Sequence, residues 1–400
     1  MAEAARDSSQ ALSRQEQVRE ARPWFLYLLF GLFGAQQGLL GPIMPFLRDT
    51  LALDLGWAGL HFAAYAAGLA LVGWPYRWLE RRLRSTSMST IACLSVVIAS
   101  SLFALAGHWS LSLLAAGAMG LSGGFVLAVG QAALGERYRE QAAPRLVEAH
   151  IVAGLCVLGG ALLVGGMTSL GLSWRLVPSS IAAVALLVTL LSLSTWNAPA
   201  TLVATDQAGE GGQPPMNRRV QLSLWALVLL GISAEWGVGF WGAEYLAVHV
   251  QVSASAAATL MSLYFAGTVC GRLASRYALI RISPLPLLVG VMLGAIATLV
   301  LLYFSQTRLP TALFIFVLGA CLGNFFPLIL GSAMRIAPQA SSAISAQASQ
   351  AVGVALLLAP FLLGLLSSRI GVEAAFSLLI VYPFLMLPIA RGLHFSGARP

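Results

Sequence analysis

No lysine occurs among the 400 residues, and acids are scarce: 15 Asp and Glu stand against 23 basic side chains, every one an arginine. Charged residues of both signs make up 10% of the chain, far below the roughly 25% of a water-soluble domain. A soluble globular protein is thereby excluded. The missing lysine reads as codon bias, not chemistry. Cysteine is nearly absent too, and Cys93, Cys156, Cys270 and Cys321 sit in apolar runs without CxxC or Cys/His spacing. That pattern gives neither a disulfide framework nor a metal site, and leaves buried packing as their expected role. No metal and no cofactor are expected. The net charge of +8 is dispersed over many short segments, so it does not indicate a nucleic-acid partner. Residues 1–22 lack the apolar core of a signal peptide and read as a polar tail before a retained first helix.

What the chain has in abundance is apolar length. Hydrophobic residues make up 58%, with mean hydropathy +0.83. A bilayer crossing takes about 20 apolar residues, and runs of that size lie near 23–47, 56–79, 86–107, 109–135, 145–170, 174–196, 221–247, 253–279, 283–304, 309–335, 341–367 and 371–391. The predicted fold class is an all-α integral membrane protein with twelve transmembrane helices in two six-helix bundles. The segment 197–220, NAPATLVATDQAGEGGQPPMNRRV, is rich in Gly and Pro without apolar period and reads as a linker. The expected organisation is a tail at 1–22, a first bundle at 23–196, the linker at 197–220, a second bundle at 221–391 and a tail at 392–400.

Threading the chain back and forth places nineteen of the arginines on one side and four, Arg48, Arg175, Arg308 and Arg369, on the other. Cytoplasmic loops carry the excess of basic residues, so both termini and the linker are expected in the cytoplasm. The halves also repeat. Tyr65-Ala-Ala-Gly68 answers Tyr264-Phe-Ala-Gly267 at an offset of 199, as Gly124 answers Gly323 and Gly154 answers Gly353, while Gly171 and Gly371 follow at 200. Duplicated halves enclosing a site are a recurrent transporter plan.

The six-plus-six count, the central linker, the Gly-rich fourth, fifth, tenth and eleventh runs and the opening GLFGAQQGLLGPIMPFL together resemble the major facilitator superfamily over nearly the whole chain. The stretch Gly73-Trp-Pro-Tyr-Arg77-Trp-Leu-Glu80-Arg81-Arg82 is similar to that family's signature between its second and third helices, with Arg77 where the family has Asp and Glu80 where it has a second Gly. The resemblance implies a secondary transporter working by alternating access. Its small-molecule substrate would sit between the bundles, with proton coupling, in a multi-pass monomer among the lipids of a prokaryotic inner (plasma) membrane.

Polar residues inside the bilayer usually face the bundle interior and mark the pathway. Glu235 is the only acid placed at the centre of a run, and is expected to bind a coupling proton, a cationic substrate, or both in turn. The other candidate substrate-binding or coupling residues are Gln36, Asn324, Tyr65, Tyr264, Trp241, Gln347 and Gln350; for the amides, hydrogen bonding between helices is an equal reading. With no arginine assigned to mid-membrane, strongly anionic solutes are disfavoured. Arg77, Arg81, Arg82, Arg272 and Arg276, beside Glu80, cluster at related helix ends and are expected to gate. His61, His108, His249 and His394 are expected at membrane surfaces, and His150 and Glu148, two apart, face differently. Gly120-Leu-Ser122-Gly-Gly124 fits a GxSxG nucleophile pattern, the basis of an alternative membrane-embedded enzyme acting on a lipid or peptide. No histidine lies at the depth a serine nucleophile needs, so no catalytic residue is expected and the stretch reads as a small-residue packing stripe.

Overall fold

A computed structural model describes residues 23–83, 85–138, 142–195, 218–337 and 341–397. The described residues are helical throughout: α1 (Pro23–Leu51), α2 (Leu55–Leu71), α3 (Gly73–Glu80), α4 (Ser85–Leu105), α5 (Trp109–Tyr138), α6 (Ala142–Ser169) and α7 (Leu176–Thr195) come first. After the linker come α8 (Arg218–His249), α9 (Ala254–Ala278), α10 (Pro284–Phe304), α11 (Arg308–Leu322), α12 (Phe325–Ile336), α13 (Ser341–Ile370), α14 (Val372–Ser377) and, past a 3-10 turn at Leu378–Ile380, α15 (Val381–Gly397). Short breaks join α2 to α3, α11 to α12 and α14 to α15. Eleven crossings among the described residues are long and apolar enough to span a membrane; the twelfth, α7, has 20 residues, about 30 Å of helix.

The helices pack as two bundles. In the first, α1 lies against α6, α2 against α5, and α4 against α5 and α7; in the second, α8 lies against α13 and α15, and α9 against α11. The bundles meet where α2 crosses α13, α6 crosses α9 and α1 crosses α8.

The repeat read from the glycines and tyrosines extends to local chemistry. Asp54 caps α2 by accepting from Trp57 N at 2.8 Å, and Ser253, 199 residues on, caps α9 by accepting from Ala256 N at 3.2 Å. Each cap satisfies an orphan donor of the first turn. Gly171 and Gly371 hold φ of +74° and +86°, a left-handed turn that a side chain would strain. Tyr65 and Tyr264 press their carbonyl oxygens onto Gly120 and Gly319 so closely that neither position has room for a Cβ. The GxSxG stretch thus serves helix packing, as its small residues predict.

Two boundaries and one histidine differ from expectation. Helix α8 begins at Arg218, so 218–220 belong to it, while the rest of the proposed linker, the tail at 1–22 and residues 398–400 lie outside the described residues. Residues 392–397 extend α15, which runs through Gly392 to Gly397. His61, expected at a surface, is fully buried, held by Trp57 O at 2.7 Å and Ser112 Oγ at 2.9 Å, since its ring finds partners on both α2 and α5.

Candidate functional site

Glu235 lies in the middle of α8, seventeen residues from Arg218 and fourteen from His249, with its side chain only 7% exposed. It is not the unpaired acid that its depth suggests. Arg272 Nη2, on α9, donates to Glu235 Oε1 at 3.2 Å, and the Nε of the same side chain donates to the Gly323 carbonyl at 2.9 Å. The carbonyl is available for a reason written in the sequence. In a continuous helix, Gly323 O would accept from the N–H of residue 327, but Pro327 has none. The helix breaks between α11 and α12 at that point, and Arg272 takes the vacant acceptor. Tyr264 Oη closes the group by donating to the Glu235 carbonyl at 2.7 Å, and Asn324, buried at the break, donates from Nδ2 to Ala320 O at 2.7 Å.

One carboxylate, one guanidinium, a phenol and a helix break therefore converge from α8, α9 and the α11–α12 junction. Arg272 is 46% exposed, so part of the guanidinium stays open while the rest is held by Glu235 and Gly323. The argument against anionic solutes from a missing mid-membrane arginine does not stand, because this guanidinium reaches inward from near the end of α9.

The other candidates fall elsewhere. Gln36, fully buried, donates from Nε2 to Ser100 Oγ at 3.1 Å and is paired with Ser122 Oγ at 3.3 Å; it ties α1 to α4 and α5, the structural reading of a buried amide. Tyr65 Oη is buried with no partner among the described residues. Trp241, fully buried, donates from Nε1 to Pro360 O at 2.9 Å and meets Phe62 edge-on at 5.4 Å. On α13, Gln347 Oε1 is buried without a partner among the described residues and Gln350 is exposed. Glu148 pairs with Arg145 at 2.9 Å and accepts from Tyr27 Oη; His150 instead meets Phe30 edge-on.

The family model of the Major Facilitator Superfamily matches residues 26–354. The chain belongs to the Major Facilitator Superfamily. It is a multi-pass membrane transporter of the secondary type, not an enzyme. Among solved structures it is similar to a bacterial homolog of the human lysosomal transporter Spinster, captured inward-facing and unoccupied, at TM-score 0.74 and 17% identity over 96% of this chain and 98% of that one. The inward-facing, occupied form of that homolog gives TM-score 0.73 at 18% identity over 94% and 96%. The nucleoside transporter NupG gives TM-score 0.73 at 16% identity over 94% and 98%. These likenesses concern the fold. No curated protein matches the sequence.

Within this transporter, the closest approaches between bundles lie at the arginine-poor end. Arg48 Nη1 on α1 forms an ion pair with the buried Glu244 on α8, Phe62 on α2 stacks on Phe240 of α8 at 4.6 Å, and Gly59 on α2 meets Gly364 on α13. Gly165 on α6, 199 residues before Gly364, packs likewise against Thr259 of α9. The bundles are sealed at this end. None of this seal was singled out from the sequence, although the 199-residue offset linking Gly165 to Gly364 offered a signal. Of the residues expected to gate, Arg272 belongs to the Glu235 group, while the other four stand at the other end with no bond to the opposite bundle among the described residues: Arg77 Nε donates to Gly73 O at 3.2 Å, Arg82 lies 4.3 Å over the Trp78 ring, and Arg81 and Arg276 are exposed.

Proposed function

We propose that this transporter moves a small solute by alternating access and couples that movement to protons through the Glu235–Arg272 pair. The observation that carries the reading is a carboxylate buried in the middle of α8 whose ionic partner is itself nearly half exposed. A proton on Glu235 cancels the charge that holds Arg272, and the guanidinium then turns to a substrate group or to water. Loss of the proton recaptures it. A cationic substrate at Glu235 would first have to displace Arg272, which makes the proton the better-suited occupant. The ionised pair is neutral by itself, whereas protonation leaves one net positive charge on Arg272, which an anionic substrate group or water at its exposed edge must answer in a low-dielectric interior.

The arginine-rich ends, both termini and the linker face the cytoplasm in this reading, in keeping with the positive-inside rule, and the protein works as a monomer in a prokaryotic plasma membrane. The seal at the arginine-poor end then makes this conformation inward-facing. Arg77, Arg81, Arg82 and Arg276 are proposed to engage when the cytoplasmic side closes in the alternate state. Cysteine accessibility in 197–220 tests the orientation; labelling from the outside would overturn it.

A thermal-shift screen against metabolites and drugs identifies a ligand, since binding to the native state alone raises stability. With that ligand, Glu235→Gln is expected to abolish proton-driven accumulation in proteoliposomes while keeping downhill exchange. Accumulation by the variant with wild-type pH dependence would move the coupling site elsewhere.

A further inference from the structure

The short helix α3 is not used by the transport site and has no buried residue. Trp74, Arg77 and Trp78 lie on it, and Arg81 and Arg82 in the turn that directly follows, so indoles and guanidiniums alternate at spacings of three and four along one side. These five side chains line an open cavity of about 330 Å³. Trp74 is 77% exposed and Trp78 49%, at the point where α2 and α3 complete a membrane crossing. Arg82 stacks on Trp78, which orients its donor edge, and Arg77 is fixed through its Nε on Gly73 O. Of the two nearby acids, Glu80 and Glu136, Glu80 accepts from Tyr76 Oη at 3.2 Å.

We infer that this face is a binding site for the headgroup of an anionic phospholipid. Tryptophan seats at the headgroup level of a bilayer, and its indole body gains by burial against the first acyl-chain segments below the headgroups. Arginine forks match the paired oxygens of a phosphodiester, and basic clusters directly beyond a membrane span attract anionic lipid. Three arginines line the cavity against the two neighbouring carboxylates of Glu80 and Glu136, so its surroundings keep net positive charge. The exposed indoles favour a lipid over a free anion, since a dissolved phosphate gains nothing from apolar walls. The site is independent of Glu235 and of the transported solute.

The test is native mass spectrometry of the detergent-purified full chain with phosphatidylglycerol or phosphatidylcholine added at equal concentration. Wild type is expected to retain phosphatidylglycerol in preference. An attraction near the surface amounts to about fivefold per arginine, so Arg77→Gln/Arg81→Gln/Arg82→Gln should lower that retention at least about tenfold and leave phosphatidylcholine unchanged. Trp74→Ala should weaken both lipids. Should the triple variant not fold, the exposed single change Arg82→Gln, with an expected loss of about fivefold, carries the test. Equal retention of the two lipids by wild type, or undiminished phosphatidylglycerol on the arginine variants, overturns the inference. Displacement of the lipid by millimolar inorganic phosphate overturns it as well, by making the site one for free anions.

Discussion

The two halves put different chemistry on one scaffold. At an offset of 199, Gln36 stands opposite Glu235, Gly73 opposite Arg272, Ala128 opposite Pro327, and Tyr65 opposite Tyr264. In the first half the amide is absorbed by two serines and α5 runs unbroken for 30 residues. In the second, the acid pairs with an arginine, and the helix related to α5 is split into α11 and α12 by the proline that frees a carbonyl for that arginine. A symmetric frame thus holds an inert polar cluster on one side and a titratable, charged one on the other. The asymmetry, not depth alone, marks the second bundle as the place to look for coupling.

Removing the arginine should give the largest effect. Arg272→Gln leaves Glu235 buried without its cation, which costs roughly 3–5 kcal/mol in a fully buried pair. Because nearly half of Arg272 is solvated, about 2 kcal/mol is the expected loss, read as a lower melting temperature in detergent. Glu235→Gln combined with Arg272→Gln should recover most of it. If the double variant is no more stable than the single one, the pair is not coupled.

Moving the charge into the other half sharpens the comparison. Gln36→Glu places a carboxylate where no cation answers it, with an expected loss of about 1–2 kcal/mol, softened because a protonated Glu keeps the shape and a donor of Gln. A Cβ at Gly73 would meet nothing within 4 Å, so Gly73→Arg fits there. The double change should restore part of the melting temperature if the halves share geometry. No rescue would show that the broken α11–α12 helix is needed to hold the arginine.

How much of this was legible before the structure follows from what each signal measures. Run length reports the bilayer directly, and the tyrosine and glycine spacing exposed the repeat because close helix crossings tolerate few other residues. Depth sufficed to single out Glu235. Its partner escaped because Arg272 sits six residues before the end of α9, where hydropathy assigns it to a surface, whereas its long stem carries the guanidinium inward. The vacancy at Gly323 comes from one missing N–H, which no average over a window registers. Gln36 was open to either reading because an amide in an apolar run has the same sequence signal whether it faces a pathway or a neighbouring serine.

The seal can be compared half against half with smaller effects. An alanine Cβ at Gly364 would lie 2.8 Å from Leu55 O and 2.8 Å from Trp241 Cζ2, so Gly364→Ala must push α13 from α2 at an overpacking cost of about 1–2 kcal/mol. Gly165→Ala meets Thr259 N at 2.7 Å and should act alike on α6 and α9. Electron-electron resonance distances between spin labels on the two bundles should lengthen at the arginine-poor end for both variants. Gly353→Ala, with nothing within 4 Å, is the control that leaves them unchanged.

The smallest effect isolates one hydroxyl in each half. Tyr264 Oη donates to the Glu235 carbonyl, whereas Tyr65 Oη, at the related position, is buried and finds no partner among the described residues. A typical hydrogen bond contributes about 1 kcal/mol net, and removing a donor leaves its acceptor unsatisfied. Tyr264→Phe should therefore lower stability by about 1 kcal/mol, partly offset because the Glu235 carbonyl remains within its helix. Tyr65→Phe deletes a polar atom whose burial is uncompensated, so its change should be near zero or slightly stabilising. Both replacements keep the ring and leave the backbone that packs on Gly120 or Gly319 in place, so the difference between the two melting temperatures reports the hydroxyls alone. Equal losses would mean that Tyr65 has a bond partner, and the first half would then hold a more complete polar network than its neutral side chains suggest.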